Sequence, residues 1–239
     1  MLQKIYRTIG IWGDSILKGV VFDDIKSTYS LLKDSCVQIA GKALGLEVVN
    51  RSRFGCTVGK GRQQLEKALS DGLACDAVLL EYGGNDCDFN WSEVSNAPGA
   101  AHVPNTSMED FERDLQAMID QLRARGINPI LMSLPPIHGE RYLDFLVDHG
   151  HLNRENMLHF LGDARRIYQF QEAYSLAVTR LANVNQCTYV PMREEFLLTR
   201  MSADLICSDG IHPNAGGHRL MQEVFTRVGL GLQSLTIRG

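Results

Sequence analysis

Short apolar segments alternate with longer amphipathic segments along this chain from start to end. The short segments have the length and composition of strands that are buried on both faces of a sheet. Helices that connect successive strands make the strands parallel and cover both faces of the sheet. The sequence therefore predicts an α/β fold with a five-stranded parallel sheet, whose strands lie at residues 5–12, 46–49, 77–81, 130–134 and 188–190.

The amphipathic segments between these strands have the spacing of helices. Ser107 precedes the clearest of them as a candidate N-cap, with Asp110 three residues later, and Gly126 follows its basic last turn. We expect one domain that spans residues 1–239, because this length suits a single α/β domain with at most an inserted cap. The predicted helices lie at residues 30–44, 60–69, 107–125, 164–183 and 215–228.

Two segments are longer than a strand–helix connection requires. Residues 87–106 are rich in Asn, Pro and Gly, and Phe89 and Trp91 near their start are candidates for an apolar wall or a local anchor. Residues 137–163 are a candidate helical insertion, with an extra helix around residues 142–148. Long loops of this kind are usually functional or disordered. Because ligand sites of open α/β sheets lie outside the carboxyl ends of the strands, we expect both segments near a substrate pocket.

Composition narrows the range of partners and locations. The chain has 24 basic and 28 acidic residues, and no run of Lys and Arg that would follow a phosphate backbone, so we expect no nucleic-acid partner. No uncharged apolar stretch reaches the length of a membrane span, and residues 1–11 lack the long apolar region of a signal peptide. The six cysteines are scattered without a CxxC pair. We therefore expect reduced thiols, no stable membrane anchor and a cytoplasmic location, on the assumption that no signal peptide preceded residue 1.

The first polar cluster follows the first predicted strand. Gly13 permits a sharp turn of the backbone, and Asp14 and Ser15 come directly after it. A turn into a helix at this point would expose the Ser15 hydroxyl, as a nucleophile requires. The alternative interpretation is that Ser15 is only a helix N-cap.

The second cluster precedes the last predicted helix. Pro213 favours an extended backbone at His212 and a helix start immediately after it. Gly210 makes a turn between Asp209 and His212, so the Asp209 carboxylate could accept a hydrogen bond from Nδ1–H of the imidazole. Nε2 would then remain for Ser15. The alternative is a capping loop that contains an incidental histidine.

A third cluster follows the strand at residues 77–81. Asn85 can direct a side-chain N–H at an oxyanion, and Asp86 can hold the backbone of the loop. Gly83 and its neighbours are equally typical of an ordinary turn. Gly55, after the second strand, could present an unobstructed backbone N–H, although most glycines in such positions only form turns.

Together these segments resemble the blocks of the SGNH (GDSL-type) hydrolase family, in the family's order and over residues 13–212. The family's Gly-Asp-Ser block matches residues 13–15, and Gly55 is a looser match for its second glycine. Its Gly-x-Asn-Asp block matches Gly83, Asn85 and Asp86, and its Asp-x-x-His block matches Asp209 and His212.

The resemblance implies a flavodoxin-like, three-layer α/β/α fold and hydrolysis of acyl esters through an acyl-enzyme, without a metal or another cofactor. Ser15 would be the nucleophile, His212 the general base and then acid, and Asp209 its partner. The oxyanion hole would combine the backbone N–H groups of Ser15 and Gly55 with the Asn85 side chain.

The expected partner is a small-molecule acyl ester, and acetyl or other short-chain esters of carbohydrates are the leading hypothesis. A lysophospholipase or acyl-thioesterase on the same scaffold is one alternative, and a non-enzymatic binding module is another. A long apolar trench would favour the first alternative, whereas a shallow polar cleft would favour acetylated sugars. The sequence does not specify the oligomeric state.

We expect four histidines outside these blocks to be structural residues and not metal ligands. His149, His151 and His159 cluster along the chain, but no carboxylate or cysteine lies at a ligand spacing from them, so we expect surface or cap residues. His218, in the last predicted helix, is expected to face solvent.

Overall fold

Five parallel strands form the main sheet, as the sequence predicts. A computed structural model describes residues 6–237, with no side-chain detail beyond residue 232. The strands are β1 (Thr8–Trp12), β2 (Val20–Asp23), β3 (Thr28–Leu31), β4 (Glu47–Asn50), β5 (Ala77–Leu80), β6 (Asn128–Met132) and β7 (Thr188–Val190). The main sheet has the order β4-β1-β5-β6-β7, which is the flavodoxin-like order, and β2 and β3 form a separate antiparallel hairpin.

Helices lie on both faces of this sheet, which gives the predicted three layers. The helices are α1 (Ser15–Lys18), α2 (Cys36–Ala43), α3 (Val58–Ser70), α4 (Trp91–Asn96), α5 (Met108–Ala124), α6 (Gly139–Gly150), α7 (Arg154–Leu161), α8 (Arg165–Val184), α9 (Met192–Leu198) and α10 (Ala215–Ile237). One apolar core joins the sheet to α3, α5 and α8, and a second core on the opposite face joins it to α2, α9 and α10. None of the helices in residues 6–237 is long and apolar enough to cross a membrane.

The central strand β5 shows why the strands of this sheet are continuous runs of apolar residues. All four of its side chains are buried. Val78 and Leu80 enter the first core, whereas Ala77 and Leu79 enter the second. Successive side chains of a strand point to opposite faces, so a strand that is covered on both faces has no position for a polar side chain.

The strand order also determines where a site can form. β1 pairs with β4 on one side and with β5 on the other, so connections from these neighbours leave in opposite directions. This is the switch point of an open α/β sheet, where a crevice opens outside the carboxyl ends of the strands. The polar clusters after β1, β4 and β5 therefore meet at one edge of the sheet.

The predicted helix at residues 30–44 is wrong in its first part. The hairpin strand β3 occupies Thr28–Leu31, and helix α2 begins only at Cys36. The Asp23 carboxylate accepts the backbone N–H groups of Ile25 and Lys26 and so stabilises the tight turn of the hairpin. A hairpin pairs its strands across the turn, and helical periodicity in one strand alone does not reveal the partner strand.

The two long segments hold more helix than the sequence indicates. Residues 87–106 contain α4, and residues 137–163 contain α6 and α7 instead of one helix around residues 142–148. Their apolar side chains form a third core, in which Trp91, Leu143 and Met157 are buried. The two segments thus pack against each other above the carboxyl end of the sheet.

The expectation that His218 faces solvent is also wrong. Its side chain is only 4% exposed, and Met221, one turn further along α10, is fully buried. Residues three apart share a helix face, so both side chains point inward against the sheet. Burial lowers the pKa of His218 to about 4.

This buried imidazole predicts a loss of stability in acid. In the unfolded chain the pKa of His218 returns to about 6.5. As the pH falls below 6.5, the unfolded state therefore binds a proton at His218, whereas the folded state binds it only near pH 4. The free energy of unfolding should therefore fall as the pH drops from 6.5 to 4.5, and His218 should account for about 2 kcal/mol of the decrease. Urea unfolding of wild type and His218→Gln at both pH values tests this. Carboxyl groups titrate in both proteins and cancel in the difference, so equal pH slopes would contradict the prediction.

Candidate active site

The predicted nucleophile is the first residue of helix α1, directly beyond β1. Asp14 is the N-cap of this helix, because its Oδ1 accepts the Ile16 N–H at 2.8 Å. Gly13 is required at the turn, since a Cβ there would lie 2.9 Å from Glu81 Oε2 and 3.1 Å from its carbonyl oxygen. Ser15 is 6% exposed, so its hydroxyl lies within a pocket and not on the outer surface.

Tertiary structure brings the block that carries Ser15 next to the block that carries Asp209 and His212. His212 Nε2 lies 2.8 Å from Ser15 Oγ, and His212 Nδ1 lies 2.5 Å from Asp209 Oδ2. The other oxygen of Asp209 accepts the backbone N–H groups of Ile211 and His212, which fixes the carboxylate beneath the ring. Asp209 is fully buried and His212 is 4% exposed. A hydroxyl, an imidazole and a carboxylate in this order can activate the hydroxyl for attack on an acyl carbon.

Helix α6 holds the loop that carries Asp209 and His212, a role that the sequence did not reveal. The N–H of His138, the N-cap residue of α6, donates to the Gly210 carbonyl at 2.8 Å. Arg141, in the first turn of the helix, donates through Nη1 to three carbonyl groups in the segment just before Asp209, those of Ala203, Ile206 and Cys207. Only contacts between distant segments identify this support.

The predicted oxyanion donors line the same cavity as Ser15 and His212. Gly55 has φ +64°, and its N–H has no acceptor within residues 6–237. Ser15 begins α1, so its N–H has no acceptor within the helix. Asn85 Nδ2 donates to Asp14 Oδ2 at 2.8 Å and makes only a long 3.4 Å contact with the Cys56 carbonyl. One N–H of the Asn85 amide can therefore turn to an oxyanion while the other stays on Asp14.

The remaining residues of the Gly-x-Asn-Asp block shape the loop after β5. The Asp86 carboxylate accepts the N–H of Val58 at 3.0 Å and so stabilises the first turn of α3. Burial raises the pKa of Asp86 to about 6. Gly83 has φ +133°, and a Cβ there would lie 2.8 Å from Leu134 Cδ1, so only glycine fits.

A further buried carboxyl group, which sequence reasoning missed, lies next to the turn that carries Asp14 and Ser15. Glu81 is 1% exposed, and its Oε2 accepts the Asp14 N–H at 3.3 Å. Burial and the nearby Asp14 charge hold the pKa of Glu81 well above its usual range. Asp14 accepts N–H groups from Ile16 and Asn85, so we assign the charge to Asp14 and the proton to Glu81. A glutamate at the end of a fully apolar strand was the available signal.

The cavity is compact, with a volume of about 130 Å³. Its apolar wall comes from the segment after β6 and from helix α8, through Leu134, Pro135, Ile137, Ile167 and Phe170. Trp91 also lines it, whereas Phe89 packs behind Trp91 with ring centroids 5.5 Å apart. Asp88 lies in the wall, where its carboxylate accepts Trp91 Nε1–H at 2.6 Å and the Tyr142 hydroxyl at 2.8 Å.

The histidines of the insertion lie apart from this chemistry. The His149 ring stacks on Phe145 with centroids 4.2 Å apart. In the part of the chain that the structure describes, no three His, Cys, Asp or Glu side chains come close enough together to hold a metal ion.

Comparison with known proteins identifies the family of this chain. The model of the GDSL-like lipase/acylhydrolase family matches residues 11–220, which contain every triad and oxyanion candidate. The chain belongs to this family. Membership of this family supports the conclusion that the protein is an ester-hydrolysing enzyme. A search of curated proteins gives no match.

Solved structures of GDSL-type proteins share the fold at low sequence identity. The lipase/acylhydrolase from Enterococcus faecalis is 16% identical, with a TM-score of 0.63 over 92% of this chain and 94% of that chain. LAE5, a hydrolase from the metagenome of Lake Arreo, is 21% identical, with a TM-score of 0.64 over 95% and 96%. A catalytic mutant of Axe2, an acetylxylan esterase from Geobacillus stearothermophilus, is 20% identical, with a TM-score of 0.59 over 94% of both chains.

The loop that holds Asp209 and His212 should be sensitive to one added methyl group. Gly210 has φ +77°, and a Cβ there would lie 2.4 Å from the Tyr142 nitrogen and 2.8 Å from the His138 carbonyl oxygen. We expect Gly210→Ala to displace the loop and to lower kcat/KM for p-nitrophenyl acetate by tenfold or more, since small misplacements of a reacting group cost about 10²-fold.

The matched control is Gly99→Ala, because a Cβ at Gly99 meets nothing within 4 Å. Circular dichroism of both variants establishes that they are folded. A wild-type rate for folded Gly210→Ala would show that the loop tolerates the shift.

Proposed function

We propose that this protein is a serine esterase that hydrolyses carboxylic esters through an acyl-enzyme. The observation that carries the proposal is the continuous hydrogen-bonded series from Asp209 through His212 to the Ser15 hydroxyl. A binding module that had lost catalysis would have no need to keep this series intact inside a cavity. The remaining donors around Ser15 are those that an acyl-transfer reaction requires.

The reaction follows from the positions of these groups. Ser15 Oγ bonds to the ester carbon as its proton passes to His212 Nε2, and Asp209 stabilises the imidazolium that forms. The π electrons of the carbonyl group move onto its oxygen. The N–H groups of Ser15, Gly55 and Asn85 donate hydrogen bonds to the oxyanion that forms. The bond to the alcohol then breaks, and His212 protonates the departing oxygen. Water repeats the sequence on the acyl-enzyme, which releases the acid and returns the proton to Ser15.

The size of the cavity supports a short acyl group. The whole cavity, including the mouth beside Tyr29 and Phe54, has a volume of about 130 Å³, close to that of a cavity that holds one benzene molecule, so its enclosed part suits an acyl group of at most a few carbons. A lysophospholipase or long-chain thioesterase would need a longer apolar trench. Two proteins with similar structures are named as acetylxylan esterases, which favours acetyl esters of carbohydrates as the substrate class.

Active-site labelling tests the serine mechanism without knowledge of the substrate. A fluorophosphonate should form one adduct on Ser15, detected by intact mass and peptide mapping. Ser15→Ala should give no adduct, and His212→Ala should react far more slowly, because the two residues act as a unit. If folded wild-type protein gives no adduct, or one on another serine, the proposal is overturned.

Asn85 provides the sharpest test of the oxyanion hole. Removal of one such donor typically lowers turnover by about 10²–10³-fold. We expect a loss of this size in kcat for Asn85→Ala on p-nitrophenyl acetate, with a smaller change in KM, because the donor acts mainly in the transition state. Asn96→Ala, at the exposed end of α4, is the matched control. An unchanged kcat for Asn85→Ala would exclude this residue as an oxyanion donor.

A further inference from the structure

Two exposed aromatic side chains contact each other and the catalytic imidazole at the mouth of the cavity. Tyr29 comes from the hairpin strand β3, and Phe54 comes from the loop after β4. The Tyr29 ring lies edge-on to His212 with centroids 5.2 Å apart, and the Phe54 ring lies nearly parallel to His212 at 6.2 Å. The centroids of the two rings are 5.3 Å apart. We call Tyr29 and Phe54 together the aromatic shelf.

The shelf is open to solvent although it adjoins a buried site. Tyr29 is 37% exposed and Phe54 is 53% exposed, whereas His212, which contacts both rings, is 4% exposed. Both aromatic residues also line the cavity that contains Ser15. Exposed large aromatic side chains have a cost in water, and their clustering at the entrance of a site indicates a surface that a ligand covers.

The hairpin holds the shelf in place before any ligand arrives. The Phe22 ring packs edge-on against Tyr29 at 5.3 Å, and Phe145 of α6 packs against Phe22 at 5.0 Å. At the turn of the hairpin, Ser208 donates a hydrogen bond to Asp24, so the hairpin is tied to the loop that carries Asp209. A surface that is already ordered binds without the entropic cost of being ordered.

The position of the shelf assigns it to one half of the substrate. In ester hydrolysis the imidazole must protonate the departing alcohol oxygen, so the alcohol leaves on the side of His212. The enclosed part of the cavity, formed by Leu134, Ile167 and Phe170, then remains for the acyl group. Tyr29 and Phe54, in contact with His212 and open to water, lie where the alcohol half extends out of the site.

We propose that Tyr29 and Phe54 form a leaving-group subsite that binds the apolar face of a pyranose ring in the ester's alcohol half. This inference rests on the proposed esterase function and adds the part of the protein that selects the alcohol. A six-membered ring is wide enough to contact both aromatic rings at once. The open outer side leaves the ring hydroxyls in water, so the sugar loses little hydration on binding. A fatty alcohol would require a closed apolar channel instead.

The test compares two esters that share the acetyl group and differ only in the alcohol. The ratio of kcat/KM for a mono-acetylated methyl xylopyranoside to that for ethyl acetate measures recognition of the alcohol and cancels damage to the triad. We expect Tyr29→Leu with Phe54→Leu to lower this ratio about tenfold, a loss of about 1.4 kcal/mol, mainly through KM, because the sugar ring loses its two flat contact surfaces. Leucine retains much of the apolar volume, so the comparison isolates the flat aromatic faces.

The matched control is Leu31→Ala. Leu31 is on the same strand as Tyr29 and is 58% exposed, but it does not line the cavity. Its ratio should equal that of wild type. An equal ratio in the double leucine variant would overturn the subsite, whether both esters slow together or neither changes.

Fluorophosphonate labelling separates the failure of this inference from the failure of the proposed function. If wild type labels on Ser15 but prefers ethyl acetate to the sugar ester, or hydrolyses neither ester, the subsite is wrong and the serine mechanism stands. If no adduct forms on folded protein, the proposed function itself fails, and the subsite fails with it.

Discussion

The hydrogen bond between Ser15 and His212 joins residues that are 197 positions apart in the chain, and much of the architecture serves to form it. Ser15 stands at the carboxyl end of β1, beside the switch point of the sheet. His212 stands on an irregular loop, which needs support from elsewhere. The first turn of α6 supplies that support through His138 and Arg141, and the hairpin supplies more through the contact between Asp24 and Ser208. Residues 137–163 therefore both hold the loop that carries Asp209 and His212 and contribute Ile137 and Tyr142 to the wall of the pocket.

Buried carboxyl groups are concentrated around this bond. Asp14, Glu81 and Asp86 are each almost completely inaccessible to water, Glu81 contacts Asp14, and Asp14 is close enough to Asp86 to raise its pKa. An uncompensated buried charge is costly, so each group is either protonated or receives N–H donors. Asp14 receives the N–H groups of Ile16 and Asn85. The same contacts that stabilise the Asp14 charge thus position the helix that begins at Ser15 and the Asn85 amide.

The cavity divides into an enclosed part and an open part, and the division follows the origin of the walls. The enclosed wall comes from the segment after β6 and from α8, which pack into the cores of the protein. The open part borders the hairpin and the loop after β4, where Tyr29 and Phe54 remain exposed. The hairpin is a separate two-stranded sheet, so the wall that it contributes is structurally independent of the main sheet.

Sequence by itself determined the layered α/β architecture, because buried parallel strands require unbroken apolar runs such as residues 77–80. It also singled out Ser15, Asn85, Asp209 and His212, since the blocks that carry them resemble those of the SGNH hydrolase family and occur in the same order. Only the tertiary structure decided that residues 28–31 form a strand, that His218 faces inward, and that Glu81 and α6 support the site. Local sequence patterns indicate which side chains of each segment are exposed to water and which are buried in a core. They do not record which distant segment supplies its partner, and those contacts complete the site.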